Sequence, residues 1–200
     1  MSLQATMERL NRPKFVLVAI LVAFAASAGF AQDIVEREGY FEVRSASTQQ
    51  IGGVHTLDAR LQLVLSSEAL AALNSGVTLT IEMQMQVIRT RRFFFDDVEA
   101  ELAVRYELQH RPLSQRYIVR NLNSGDQDSF ATLYSALNSL GRIQGLPVID
   151  DALLAPDRAY RLRLRAMLNT QQIPAPLRLL FFWRGQWQLQ SEWFEWSLER

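Results

Sequence analysis

The sequence predicts a mainly β protein: an antiparallel β-sandwich, immunoglobulin- or C2-like, with two short helices in its connections. Three observations predict it. Four long segments alternate strictly between apolar and polar residues. Each has a single apolar face, which suits antiparallel sheets and not a parallel sheet buried on both sides. Two other segments show capping residues and three-four apolar spacing, the marks of short helices. The composition, 48% apolar, 21% charged and 10% aromatic over 200 residues, is that of an ordinary globular chain.

Residues 1–31 read as an export signal. Arg9, Arg12 and Lys14 form a basic start, Phe15 to about Ala26 an apolar stretch, and Ala26-Ser27-Ala28 or Gly29-Phe30-Ala31 a small-residue cut site. The alternative is an uncleaved anchor, because the apolar run to Ala31 reaches the short end of a bilayer span. In both cases residues 32–200 form one exported domain. Cleavage after Ala31 leaves 18 basic and 20 acidic residues and removes Lys14, the only lysine. The chain has no cysteine. Disulfides, thiolate metal sites and a cysteine nucleophile are therefore excluded, and the core alone must hold the domain together.

Tyr40 to Val43 is a short strand candidate. Leu57, Ala59, Leu61, Leu63 and Leu65 share one face of the first long strand. Ser66 then caps a helix over residues 67–75, with Glu68 in its first turn and Gly76 past its end. Val77, Leu79, Ile81, Met83, Met85 and Val87 line the next strand, against Glu82, Gln84 and Gln86. Ala100, Leu102, Val104, Tyr106 and Leu108 line a third, with Glu99, Glu101, Arg105 and Glu107 outward. Tyr117 to Leu122 is a shorter strand, followed by the turn cluster Asn123-Ser124-Gly125-Asp126. Asp128 is the expected cap of the second helix, which carries Phe130, Leu133, Tyr134, Leu137 and Leu140 and stops at Gly141. Pro147 and Pro156 bracket a loop around Asp150-Asp151. Tyr160, Leu162, Leu164, Ala166 and Leu168 form the fourth long strand, with Arg161, Arg163 and Arg165 outward. Leu177 to Trp183 and Trp187 to Leu198 flank Arg184-Gly185-Gln186 as a hairpin, with a short helix as the alternative for the first arm.

Chemistry-bearing motifs are few. No Gly-x-Ser-x-Gly elbow, phosphate-cradling glycine loop or His-Glu-x-x-His occurs. No catalytic residue, metal or cofactor is implied. His55 and His110 sit at strand ends, where surface loop residues are expected. A hydrolase would need one of them to meet a serine and an acid. Asn121 to Asp128 is rich in side-chain oxygens but lacks the glycine and glutamate of a calcium loop, so a turn and helix cap are expected. Zero net charge and export argue against nucleic acid as a partner.

Two aromatic features are expected to serve mostly as core, with a contact surface or aromatic-lined groove as the sharper alternative. Arg91-Arg92-Phe93-Phe94-Phe95 joins two long strands, and three consecutive phenylalanines must present rings on both faces. Cover of the second face by a helix or the C-terminal arm is the expected arrangement; rings left outside it, with the arginines, would meet a partner or a membrane surface. Trp187, Leu189 and Trp193 share one parity and Phe194, Trp196 and Leu198 the other. Either a bulge near Trp193 switches the face, or both faces are covered. Arg91, Arg92, Phe93, Phe94, Phe95, Trp193 and Trp196 are the candidate interaction residues. The Arg161, Arg163 and Arg165 stripe could hold an anionic partner, but pairing with Glu99, Glu101 or Glu107 is the expected arrangement.

The order of several segments carries a resemblance. They are Glu68-Ala69-Leu70 through Gly76-Val77, Arg91 through Asp97, Tyr106-Glu107-Leu108, Tyr117-Ile118-Val119, the Phe130 helix, Pro174 with Pro176-Leu177, and Trp187 through Trp193 to Trp196. From Leu57 to Leu198 the chain resembles an uncharacterised family of exported proteobacterial proteins, classed as a domain of unknown function. Its members are often encoded beside membrane sensor kinases, which implies a link to envelope signalling. The leading expectation is a non-enzymatic periplasmic interaction module that meets an envelope or inner-membrane protein. The alternatives are a carrier of an apolar ligand held by Met83, Met85, Phe181 and Trp193, and a hydrolase.

Overall fold

Two antiparallel sheets face each other across one apolar core. A computed structural model describes residues 38–91, 97–169 and 189–199; the export signal, Arg92 to Phe95, Phe181 and the proposed Leu177–Trp183 arm lie outside the described residues. No helix among the described residues is long and apolar enough to cross a membrane. The first sheet has the order β1-β2-β7, from Tyr40–Ile51, Val54–Val64 and Arg142–Asp150. The second has the order β6-β5-β4-β3-β8-β9. Its strands are β3 Leu79–Arg89, β4 Asp97–Arg111, β5 Arg116–Asn121, β6 Gln127–Phe130, β8 Tyr160–Asn169 and β9 Phe194–Ser197. The alternating residues do what their period requires. Leu57, Leu79, Ile81, Leu108, Leu162 and Leu164 meet between the sheets and are at most 1% exposed. A bond from Trp196 Nε1 to Thr48 Oγ1 at 3.3 Å ties β9 across to β1. The architecture is the expected β-sandwich.

β1 runs well past Val43, to Ile51, because Gly52 and Gly53 turn it straight into β2. Their φ values of +58° and +86° fit the two-residue turn that favours glycine. Helix α1, Ser67–Asn74, starts as expected, with Ser66 Oγ accepting from Ala69 N–H at 3.2 Å. Helix α2 is shorter than expected: it covers Leu133–Leu140, and its cap is Thr132, whose Oγ1 accepts from Ser135 N–H at 3.1 Å. Asp128 instead pairs with Val119 in β6. The β5–β6 hairpin claims Gln127 to Phe130, so the helix begins only after it. The expected loop around Asp150-Asp151 is also corrected. Pro147 lies within β7, an edge strand, where a proline breaks no ladder on its open side. A single turn of 3-10 helix, Asp151–Leu153, follows.

The end of α2 rests directly on β2. Leu61 N–H donates to Gly141 O at 2.7 Å, and a Cβ added at Gly141 would lie 2.3 Å from Leu61 O. Gly141→Ala must therefore push the helix off the sheet. It is expected to cost about 1–3 kcal/mol, read as a lower urea midpoint with an unchanged slope.

Candidate functional site

The outer face of the six-stranded sheet collects most of the polar chemistry. β3 lies in its interior, between β4 and β8. Its outward residues are therefore flanked on both sides by long side chains, and the expected solvent-facing row is partly buried. Glu82 is only 4% exposed. Its Oε2 accepts from Arg105 Nε at 2.8 Å and Asn169 Nδ2 at 3.1 Å, and its Oε1 from Gln84 Nε2 at 2.7 Å. Burial pushes the Glu82 carboxyl up, but the bonds from Arg105, Gln84 and Asn169, with the charge of Arg105, outweigh it and hold it below the ordinary glutamate value.

The arginine stripe of β8 does not pair as expected. Glu99 goes to Arg89 and Glu107 to Arg120. The reason is strand order: β8 lies beside β3 and β9, so the glutamates of β4 are one strand too far. Arg161 finds Glu195 at 3.0 Å. Arg163 and Arg165 have no carboxylate partner among the described residues. Arg163 Nε donates to Gln86 Oε1 at 2.7 Å and Arg165 Nε to Gln84 Oε1 at 2.8 Å. The glutamines fix both guanidiniums through one nitrogen each, and Glu195, the ladder partner of Arg163, turns its carboxylate to Arg161 instead.

Trp193 completes this arrangement. Gln190 bridges Met167, while Phe194 pairs with Leu164, so one extra residue is accommodated between them. This is a bulge, the first of the two arrangements the parity allowed. It is fastened at Ser191, whose Oγ accepts from Ala166 N–H at 3.0 Å. Beyond the bulge, Phe194 and Trp196 turn to the core, and Trp193 is left on the outer face. Its ring centre lies 4.4 Å from Arg163 Cζ and 4.3 Å from Arg165 Cζ. Two guanidiniums thus share one indole, each contact contributing about 0.5–1 kcal/mol at an accessible site.

The other candidates fall elsewhere. Trp196 is committed to the interior, against Phe194 and Thr48. Arg91 pairs with Asp97, which also accepts from Arg89 Nη2 at 2.9 Å, at the base of the β3–β4 hairpin. Met83 and Met85, each 2% exposed, face the core on the side away from Trp193, so these three do not line one cavity. His55 is not a surface residue. It is fully buried, with Nε2 2.9 Å from Asp151 Oδ1, where the 3-10 turn folds over the β1–β2 hairpin. His110 stacks on Tyr117 at 4.8 Å. Nδ1 of each histidine is buried without a hydrogen-bond partner, so neither ring holds a serine there.

Fold and site thus define a β-sandwich with an arginine–tryptophan platform on its larger sheet. The chain belongs to the family described as Domain of unknown function (DUF4390), whose model matches residues 39–197. No curated protein and no solved structure matched it.

Proposed function

We propose that this protein is a non-enzymatic interaction module of the cell envelope, exported by residues 1–31, that docks an acidic, extended segment of an envelope or inner-membrane protein. One observation carries the reading: Arg163 and Arg165 share the Trp193 ring and have no carboxylate partner among the described residues. Residues two apart on a strand project from one face about 7 Å apart, and an extended partner repeats at the same interval. Aspartate or glutamate at alternate positions would meet both guanidiniums at once, in charge-assisted bonds that suit arginine. The indole offers a flat apolar surface beside them, as the centres of protein interfaces often do. A membrane-signalling role for the partner is what the family resemblance implies.

Synthetic peptides test the chemistry. A peptide with acids at alternate positions is expected to bind the exported domain more tightly than one of equal charge with its acids adjacent. Its affinity should fall as salt rises. Equal binding of both peptides, or of a lysine-substituted control, would overturn the reading.

A further inference from the structure

The smaller sheet carries a second, independent charged feature. Arg60 of β2 and Arg142 of β7 are direct partners in the antiparallel ladder. Like charges placed directly opposite repel, and sheets normally avoid them. Both side chains are exposed, and neither has an acid within ion-pairing distance among the described residues. Asp58, two residues before Arg60, accepts from Gly145 N–H at 2.9 Å and lines an adjoining groove with both arginines, so it is the one acid beside them among the described residues. Both arginines line an open groove of about 300 Å³ beside the end of α2, together with Arg44, Tyr134 and Asn138. Arg44 is already satisfied: its Nη1 pairs with Glu42 at 2.8 Å and its Nε donates to Gln62 at 2.9 Å. Tyr134 is 78% exposed although it lies on a helix whose other apolar residues pack inward.

From these contacts we infer that the groove is a binding site for a phosphate-type dianion, held between Arg60 and Arg142. Geometry selects the ligand. Two guanidiniums border one space with a single carboxylate, Asp58, beside them, and a tetrahedral oxyanion offers oxygens to both forks at once. Cβ atoms of directly opposed residues lie about 5 Å apart, which lets both guanidiniums reach one group of oxygens. Each planar fork can then donate two bonds to it. Tyr134 and Asn138 supply further donors at the rim. The phosphate could be free or the headgroup of a lipid, and the two sources share this chemistry.

The test is thermal unfolding of the exported domain with inorganic phosphate, against sodium chloride at equal ionic strength. The wild-type chain is expected to gain several degrees, saturating with phosphate, beyond any gain in chloride. Arg60→Gln and Arg142→Gln should each abolish that gain. Both variants should also be at least as stable as wild type without phosphate, because each removes the opposed charge; this separates loss of a site from loss of folding. Co-sedimentation with phosphatidylcholine vesicles containing phosphatidic acid assigns the source. Capture that needs both arginines points to a lipid headgroup, and phosphate saturation without capture to the free ion. A phosphate gain that persists in both variants, or no specific gain and no arginine-dependent capture, would overturn the site.

Discussion

Arg105→Leu is expected to destabilise the protein by about 2–3 kcal/mol, more than Glu82→Leu does, although the two residues form one ion pair. The asymmetry follows from exposure. The Arg105 side chain is half exposed, whereas that of Glu82 is 6% exposed. Removing Glu82 leaves an arginine that water can reach. Removing Arg105 leaves a carboxylate between strands with only the amides of Gln84 and Asn169 to hold it. The double variant should recover much of the loss, because no charge then remains without its partner. The sign of the pH dependence follows as well. Because the folded-state pKa of Glu82 is lowered, its contribution is fully present above the ordinary glutamate value. It is lost as the pH falls through the lowered folded value. In Arg105→Leu the upward push of burial meets less opposition, so the acid-side loss should begin at a higher pH than in wild type. Urea unfolding across the acid range measures both effects. Equal costs for the two single variants would contradict the account of Glu82 as the buried member.

The second large effect concerns binding. Arg163→Glu with Arg165→Glu should weaken capture of the partner by at least about 100-fold, since attraction is replaced by like-charge contact worth several kcal/mol. Trp193→Ala should weaken it less, by removing the apolar surface while keeping both charges. Folding should suffer modestly, chiefly from Arg163→Glu, which sets a second acid opposite Glu195 in the ladder. The arginine side chains are half-buried, and their bonds to Gln84 and Gln86 join groups at the surface of the sheet. A loss of about 1–2 kcal/mol, at most, is expected for the double variant. Binding and thermal unfolding measured on the same samples separate the two effects.

The four long strands were legible because each has one apolar face, and a period of two survives any arrangement of neighbours. Ser66 and Gly76 were legible because caps act locally. β6 was not: Asp128 and Thr132 are both good caps, and pairing with β5 decides between them. β7 was obscured by Pro147, which an edge strand tolerates and an interior one would not. Gly52-Gly53 did carry a usable signal, since two glycines between alternating segments mark a tight hairpin. For the site, spacing showed that Arg161, Arg163 and Arg165 share a face, and parity required a device near Trp193. Neither could show which strands flank β8, because its partners lie about eighty residues before it and about thirty after it in the ladder. The burial of Glu82 and His55 has the same origin. Each is polar in sequence and covered only when distant segments assemble.

The Arg163–Arg165–Trp193 face is the proposed seat of a protein partner in the envelope. Photo-crosslinking in intact cells tests it most directly, with the probe at Ala103, which faces Gln84 on the same outer surface. A second probe at Ser47, exposed on the other sheet, serves as the control. One envelope protein should be captured from Ala103 and not from Ser47, and lost when Arg163 and Arg165 are both changed to glutamate. Capture of that protein from both positions, or undiminished capture by the charge-reversed variant, would contradict it.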